Sequence, residues 1–169
     1  ELFTFGTVAC FKKQKNLFDL LEAFKAVNKK QPNTKLEIIG DGQLRDNIEN
    51  WIKKNNLTVK ITLLGWQTEV APVMATWNAF ALSSLWEGLP CAIIEARLLN
   101  LPVVAYNVGG ISEVIKNGKN GFLIEPKNIA ALSTAMLKLI DKPFDQKDIG
   151  LLPFYKQTMI QGHLELYAK

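Results

Sequence analysis

Several features are scarce in this 169-residue chain, and each scarcity excludes something. There are two cysteines, Cys10 and Cys91, in separate segments and without metal-type spacing, so neither a zinc knuckle nor a disulfide scaffold is expected. A reduced, cytoplasmic protein fits that usage better. His163 is the one histidine, near the end and far from any candidate nucleophile, which argues against a Ser-His-Asp arrangement. No apolar run approaches the ~20 residues of a membrane helix, and no secretory leader is read before the first strand-like segment. The first strand is followed by neither a G-x-G-x-x-G fingerprint nor a Walker loop, which disfavours a dehydrogenase or a P-loop enzyme. Aromatic residues, 9% of the chain, are not interleaved with the lysines as a nucleic-acid platform requires. No nucleic-acid partner is expected.

What remains is ordinary for a globular protein: 48% hydrophobic and 21% charged residues, enough for one domain with a full core. The formal charge is +4, and Lys12, Lys13, Lys15, Lys25, Lys29, Lys30 and Lys35 gather near the start. They form either a solvated surface or a patch that attracts an anionic lipid or phosphorylated ligand.

Apolar runs alternate with helical patterns along the chain. Strands are expected at 2–9, 35–40, 59–65, 78–84, 101–106 and 121–125. Helical spacing appears in Leu17, Leu20, Leu21, Phe24 and Val27, and again in Leu44, Ile48, Trp51 and Ile52, with Asp41 placed as a cap. Further helices are expected at 68–74, at 90–99 with Pro90 in the first turn, at 128–140, and at 154–168 after a linker. Six strands alternating with helices imply an α/β fold, a doubly wound parallel sheet. Residues 1–169 read as a single domain. Such a sheet binds ligands beyond the carboxyl ends of its strands, where strand order reverses.

The strand ends therefore hold the candidate chemistry. After the first strand, "GTVACFKKQKN" brings Lys15 to a helix start, within reach of a phosphate or simply on the surface. "GDGQL" reads as a tight turn. "LGWQ" offers Gly65 and Trp66, facing a planar base or lying in the core. The fourth strand ends in "SSLWEGLPCAIIEA", with Glu87 at the sheet's mouth, Gly88 free to take a positive φ, and Leu89 and Pro90 over a helix start. Glu95 follows in the second turn, roughly 7.5 Å along the axis from Pro90. That separation suits two distinct diols better than a shared proton. The structural alternative has Glu87 stabilising a helix start and Glu95 facing solvent. After the fifth strand, Gly109 and Gly110 line a ligand or make a turn.

Taken in order, "GTVACFKKQKNL", "LEIIGDGQLRDNIEN", "ITLLGW" and "SSLWEGLPCAIIEARLLNLPVVAYNVGGISEVIKNGKNGFLIEP" resemble the C-terminal domain of group 1 glycosyltransferases (family 4, retaining, GT-B fold). The resemblance runs over nearly the whole chain. Its most specific piece is the glutamate, seven residues, glutamate motif at Glu87 and Glu95. The resemblance implies that Glu87 contacts the donor sugar and Glu95 the ribose hydroxyls. Gly88, Leu89 and Pro90 would meet sugar and diphosphate, Lys15 the diphosphate, and Gly65 and Trp66 the base. The family's first-strand glycine and following arginine are assigned to Gly6 and Thr7, so that the arginine is replaced, with Lys12 or Lys13 as substitutes.

The implied activity is retaining transfer of a sugar from a UDP- or GDP-sugar to a glycan or glycolipid. No separate cofactor is implied, and no metal, since the chain has no Asp-x-Asp motif. The acceptor-binding N-terminal domain is taken to be missing from this chain, and the isolated domain to be inactive. The parent is expected in the cytoplasm, at the inner face of the membrane. Two alternatives stay open: a nucleotide-sugar epimerase of the same fold, and a non-catalytic module that binds a sugar nucleotide or a partner protein.

Overall fold

The computed structural model describes residues 2–141 and 144. The expected last helix at 154–168, His163 and all of the expected linker at 141–153 except Asp141 and Phe144 lie outside the described residues. Thirteen segments follow in order. Strands β1 (Phe3–Val8), β2 (Thr34–Ile39), β3 (Ile61–Gly65), β4 (Ala79–Leu82), β5 (Val103–Tyr106) and β6 (Gly121–Ile124) alternate with helices. The helices are α1 (Leu17–Lys30), α2 (Arg45–Lys54), α3 (Ala71–Met74), α4 (Cys91–Leu98), α5 (Ile111–Val114) and α6 (Ile129–Asp141), with a short 3-10 turn at Lys13–Lys15.

All neighbouring strands pair in parallel, in the order β3-β2-β1-β4-β5-β6. The order reverses between β1 and β4, so the loops that leave these two strands diverge and open a crevice at the sheet's carboxyl edge. Every residue of β4 and β5 is buried, as expected for central strands covered on both faces. One face packs Phe5, Leu36, Ile38 and Val104 against Leu20, Leu21 and Phe24 of α1, Ile48 and Ile52 of α2, and Leu132 and Met136 of α6. The other packs Ile39, Phe80, Leu82 and Val103 against Met74, Trp77, Ile93, Ala96 and Ile111. The expected doubly wound sheet of six strands is therefore present.

Three local expectations need correction. Asp41 does not cap α2: the helix starts at Arg45, and Asp41 instead accepts hydrogen bonds from the Gly42 amide (2.7 Å) and the Arg45 guanidinium (2.9 Å). Gly6 and Thr7 do not reach the strand's end. Gly6 lies mid-strand with its α-carbon against the Trp77 indole, and Thr7 is fully buried beside the core residue Phe5. Pro90 stands one position before α4, in extended conformation at its cap. Among the described residues no helix is long and apolar enough to cross a membrane.

Candidate functional site

The site is assembled by three loops at the carboxyl edge of the sheet. The first leaves β1 at Val8. Its Ala9 amide still bonds the Ile39 carbonyl, its Phe11 amide bonds the Asp41 carbonyl, and the buried Phe11 ring anchors it. The chain then tightens into the 3-10 turn, and Asn16, in left-handed conformation at φ 45°, redirects it into α1. Asparagine tolerates that conformation better than most residues. The result holds Lys15 back over the strand ends.

The second loop leaves β4 and is stitched to the first. The Ser83 hydroxyl donates to the carbonyls of Lys15 (3.1 Å) and Asn16 (2.9 Å). The Leu85 amide donates to the Gln14 carbonyl at 2.8 Å, and the Gln14 side-chain amide donates to the Trp86 carbonyl at 2.8 Å. These bonds fix two loops some seventy residues apart in sequence. They bring Lys15 Nζ to 2.5 Å from Glu87 Oε1. The Glu87 side chain is 8% exposed and that of Lys15 19%, so the pair is largely removed from water.

The third loop, after β5, supports Glu87 from below: the Gly110 amide donates to the Gly88 carbonyl at 2.7 Å. Gly88 itself has no positive φ, contrary to expectation; Gly109 does, at 53°. Helix α4 begins directly after the second loop, without a side-chain cap. Its first-turn amides are thus not used by a capping side chain, and a helix start of this kind suits an anion. Gly88 and Cys91 are exposed at that end, Leu89 is half-buried, and Pro90 is buried.

On the β1–β3 side of Lys15 lies a cavity of about 240 Å³. Its walls are Val8, Ala9, Cys10, Lys15, Ile39, Gly40, Trp66, Gln67 and Val70. Trp66 is 78% exposed, which decides between its two readings: it is a wall of the cavity's mouth and not a core residue. Gly65, at φ 70°, turns the chain so that this indole projects outward. The Gln67 side chain is tied to the Leu64 carbonyl at 2.8 Å.

The structure thus brings Lys15, Glu87, Gly88, Leu89 and Pro90 together and sets Trp66 with Lys15 on the walls of the cavity, while Gly65, next to Trp66, is not among the lining residues. Glu95 lies on the second turn of α4, exposed, and its carboxylate makes no hydrogen bond or ion pair with any described residue. Gly6 and Thr7 do not line the cavity. The positions that do open into the cavity at the end of β1 are Ala9 and Cys10, which the sequence reading passed over. Val8, Ile39, Gly40, Gln67 and Val70 were missed as well; apolar residues at strand ends carry no signal that separates a cavity wall from a core. Among the described residues no group of three or more His, Cys, Asp or Glu side chains gathers as a metal would require.

A family model described as "Glycosyl transferases group 1" matches residues 1–150. The chain is 34% identical over 142 residues to an Escherichia coli protein named UDP-Gal:alpha-D-GlcNAc-diphosphoundecaprenol alpha-1,3-galactosyltransferase, covering 82% of this chain and 37% of that protein. It is 31% identical over 146 residues to a Staphylococcus aureus poly(ribitol-phosphate) alpha-N-acetylglucosaminyltransferase, covering 86% of this chain and 30% of the relative. Among solved structures, an S. aureus TarM mutant in complex with fondaparinux, alpha-GlcNAc-glycerol and UDP superposes with a TM-score of 0.90 at 25% identity, over 100% of this chain and 36% of that one. The lipopolysaccharide outer core galactosyltransferase WaaB shares the fold, with a TM-score of 0.84 at 22% identity, over 98% of this chain and 50% of its own. The chain spans well under half the length of these curated relatives.

Proposed function

The chain belongs to the group 1 glycosyl transferases, and from that premise we propose that it is the donor-binding half of a retaining enzyme that uses a UDP- or GDP-sugar. The observation that carries this reading is the meeting of Lys15 and Glu87 at the point where strand order reverses. A cation beside the uncapped start of α4 suits a diphosphate, and a carboxylate next to it suits the hydroxyls of the attached sugar. The cavity beyond Lys15, walled by Trp66 and Val70, is where the base would lie. Glu95, on the exposed side of α4, would accept the ribose hydroxyls.

As the bond between sugar and diphosphate breaks, negative charge grows on the leaving diphosphate. Lys15 and the α4 amides would face that charge, and fixed donors in a water-poor crevice would stabilise it strongly without a metal. Glu87 orients the sugar and does not attack it. The acceptor, a glycan or glycolipid, would be held by an N-terminal domain of the parent protein. The parent would work in the cytoplasm at the inner membrane face.

Titration of the protein with uridine, guanosine and their diphosphates tests the reading. Lys15→Ala is expected to weaken the diphosphates about tenfold while leaving the nucleosides nearly unaffected. A uniform effect on both would refute the diphosphate contact. Product formed from donor alone, without acceptor, would replace transfer with epimerisation.

A further inference from the structure

Lys15 and Glu87, assigned above to opposite parts of the donor, neutralise each other at 2.5 Å. Among the described residues, each side chain has the other as its one hydrogen-bonding and ion-pairing partner. Neither can drift far. Ser83 grips the carbonyl of Lys15, and Gly109 and Gly110 fill the space beneath the backbone of Glu87 and Gly88.

A largely buried carboxylate that loses its cation keeps the cost of its desolvation. Any ligand that draws Lys15 away must therefore leave Glu87 charged and unpaired, or supply donors in place of the ammonium. A nucleoside diphosphate supplies negative charge for Lys15 and nothing for Glu87. A sugar nucleotide supplies both, with its diphosphate for Lys15 and its sugar hydroxyls for Glu87. The two ligands differ in the sugar and in the extra negative charge that a free terminal phosphate carries near neutral pH, so only the sugar of the intact donor can compensate Glu87 for the loss of Lys15.

We propose that the Lys15–Glu87 pair discriminates between the intact sugar nucleotide and the spent nucleoside diphosphate by weakening the binding of the latter. The proposal rests on the donor-site reading given above. It has a consequence for the reaction cycle. When the sugar has left for the acceptor, Glu87 has lost its hydroxyl donors and competes again for Lys15. That competition loosens the remaining diphosphate and favours its release, so a site built to bind diphosphate avoids being held by its own product.

Calorimetry on the intact protein with UDP, GDP, UDP-glucose, UDP-galactose, UDP-N-acetylglucosamine and GDP-mannose tests this. Glu87→Gln keeps the side chain's shape and removes its charge. It is expected to bind the cognate nucleoside diphosphate about tenfold more tightly than the parent protein does, while the added affinity contributed by the sugar shrinks. In a Lys15→Met background the same change should gain about twofold or less, because no ammonium remains to be released. If Glu87→Gln does not fold, Glu87→Ala removes the same charge and is expected to shift diphosphate affinity in the same direction.

Weaker or unchanged diphosphate binding in a folded Glu87 variant would overturn the proposal, showing that Glu87 arranges Lys15 and does not compete for it. An equal gain in both backgrounds would overturn it too, since the effect would then be direct repulsion. If the parent protein bound neither nucleoside diphosphates nor sugar nucleotides, the donor-site reading itself would fall, and the proposal with it.

Discussion

Gly109 lies directly against the carbonyl of Glu87: a β-carbon placed on Gly109 would sit 1.8 Å from that oxygen. The contact, with the Gly110 amide bonded to Gly88, sets the height of the β4–α4 loop from the β5–α5 loop. A side chain at 109 must push Glu87 outward, and it must also adopt a φ of 53°, which L-residues resist. Gly109→Ala is therefore expected to lower turnover about a hundredfold, since a shift near 1 Å in a positioning group costs about that much. Steady-state kinetics on the intact enzyme, beside an unaltered far-ultraviolet spectrum, check it. Full turnover would show that the loop position is not set by this contact.

Glu95 stands in the opposite situation, exposed on α4 with no partner among the described residues. Nothing in the fold requires it. Glu95→Ala should change unfolding free energy by no more than about 0.5 kcal/mol, as at other exposed sites. Nucleotide affinity should nevertheless fall about tenfold, the loss expected when charge-assisted bonds to a ribose diol disappear. Equal affinity of variant and parent in calorimetry would reject the ribose role.

The sheet was legible because parallel strands covered on both faces must be apolar almost throughout, as in β4 and β5. The strand limits differ from those expected by a residue or two, since apolar sequence continues beyond the regular strand, as at Ala9, and single inter-strand bonds persist there, from the Ala9 and Gly40 amides to the Ile39 and Gly65 carbonyls. That Lys15 and Glu87 share an edge followed from topology. That they touch did not, because it depends on the 3-10 turn and on Ser83, Gln14 and Leu85, whose loop bonds have no periodicity. Gly6 and Thr7 stand away from the cavity for a related reason: β1 runs on through Val8 before its end is reached. Trp77, which occupies the space above Gly6, is seventy-one residues away in sequence, and no local pattern announces the contact.

Gly6 accordingly has a structural role that can be separated from ligand binding. A β-carbon there would lie 1.9 Å from the Trp77 ring, and the indole is tethered by its Nε1 to Glu37 at 2.9 Å. Gly6→Ala is expected to destabilise the fold by about 1–3 kcal/mol, the usual range for overpacking. Donor affinity, measured well below the lowered melting temperature, should not change. Thr7→Val provides the companion test. The Thr7 hydroxyl is buried without a hydrogen-bond partner among the described residues, so its removal should be neutral or stabilising and leave nucleotide affinity intact. A loss of diphosphate affinity in Thr7→Val would return that residue to the site.

Tyr106 ends β5 fully buried, and its hydroxyl donates to Asp19 of α1 at 2.8 Å, joining the sheet to the helix that begins beside Lys15. Burial, followed by the hydrogen bond to Asp19 and that residue's negative charge, raises the phenol's pKa well above its ordinary value of 10.0. In the unfolded chain the phenol ionises near the ordinary value, whereas in the fold it keeps its proton. Above about pH 10 the unfolded state therefore binds fewer protons than the native state, and stability falls as pH rises. The contribution is fully present below the unfolded pKa and is lost on the way up to the folded one. Tyr106→Phe removes both the bond and the titration. At neutral pH it should cost about 1 kcal/mol. Between about pH 10 and 11.5 its stability should decline less steeply with pH than the parent's. Denaturant unfolding at a series of alkaline pH values measures both slopes, and parallel slopes would show that Tyr106 ionises as freely in the fold as outside it.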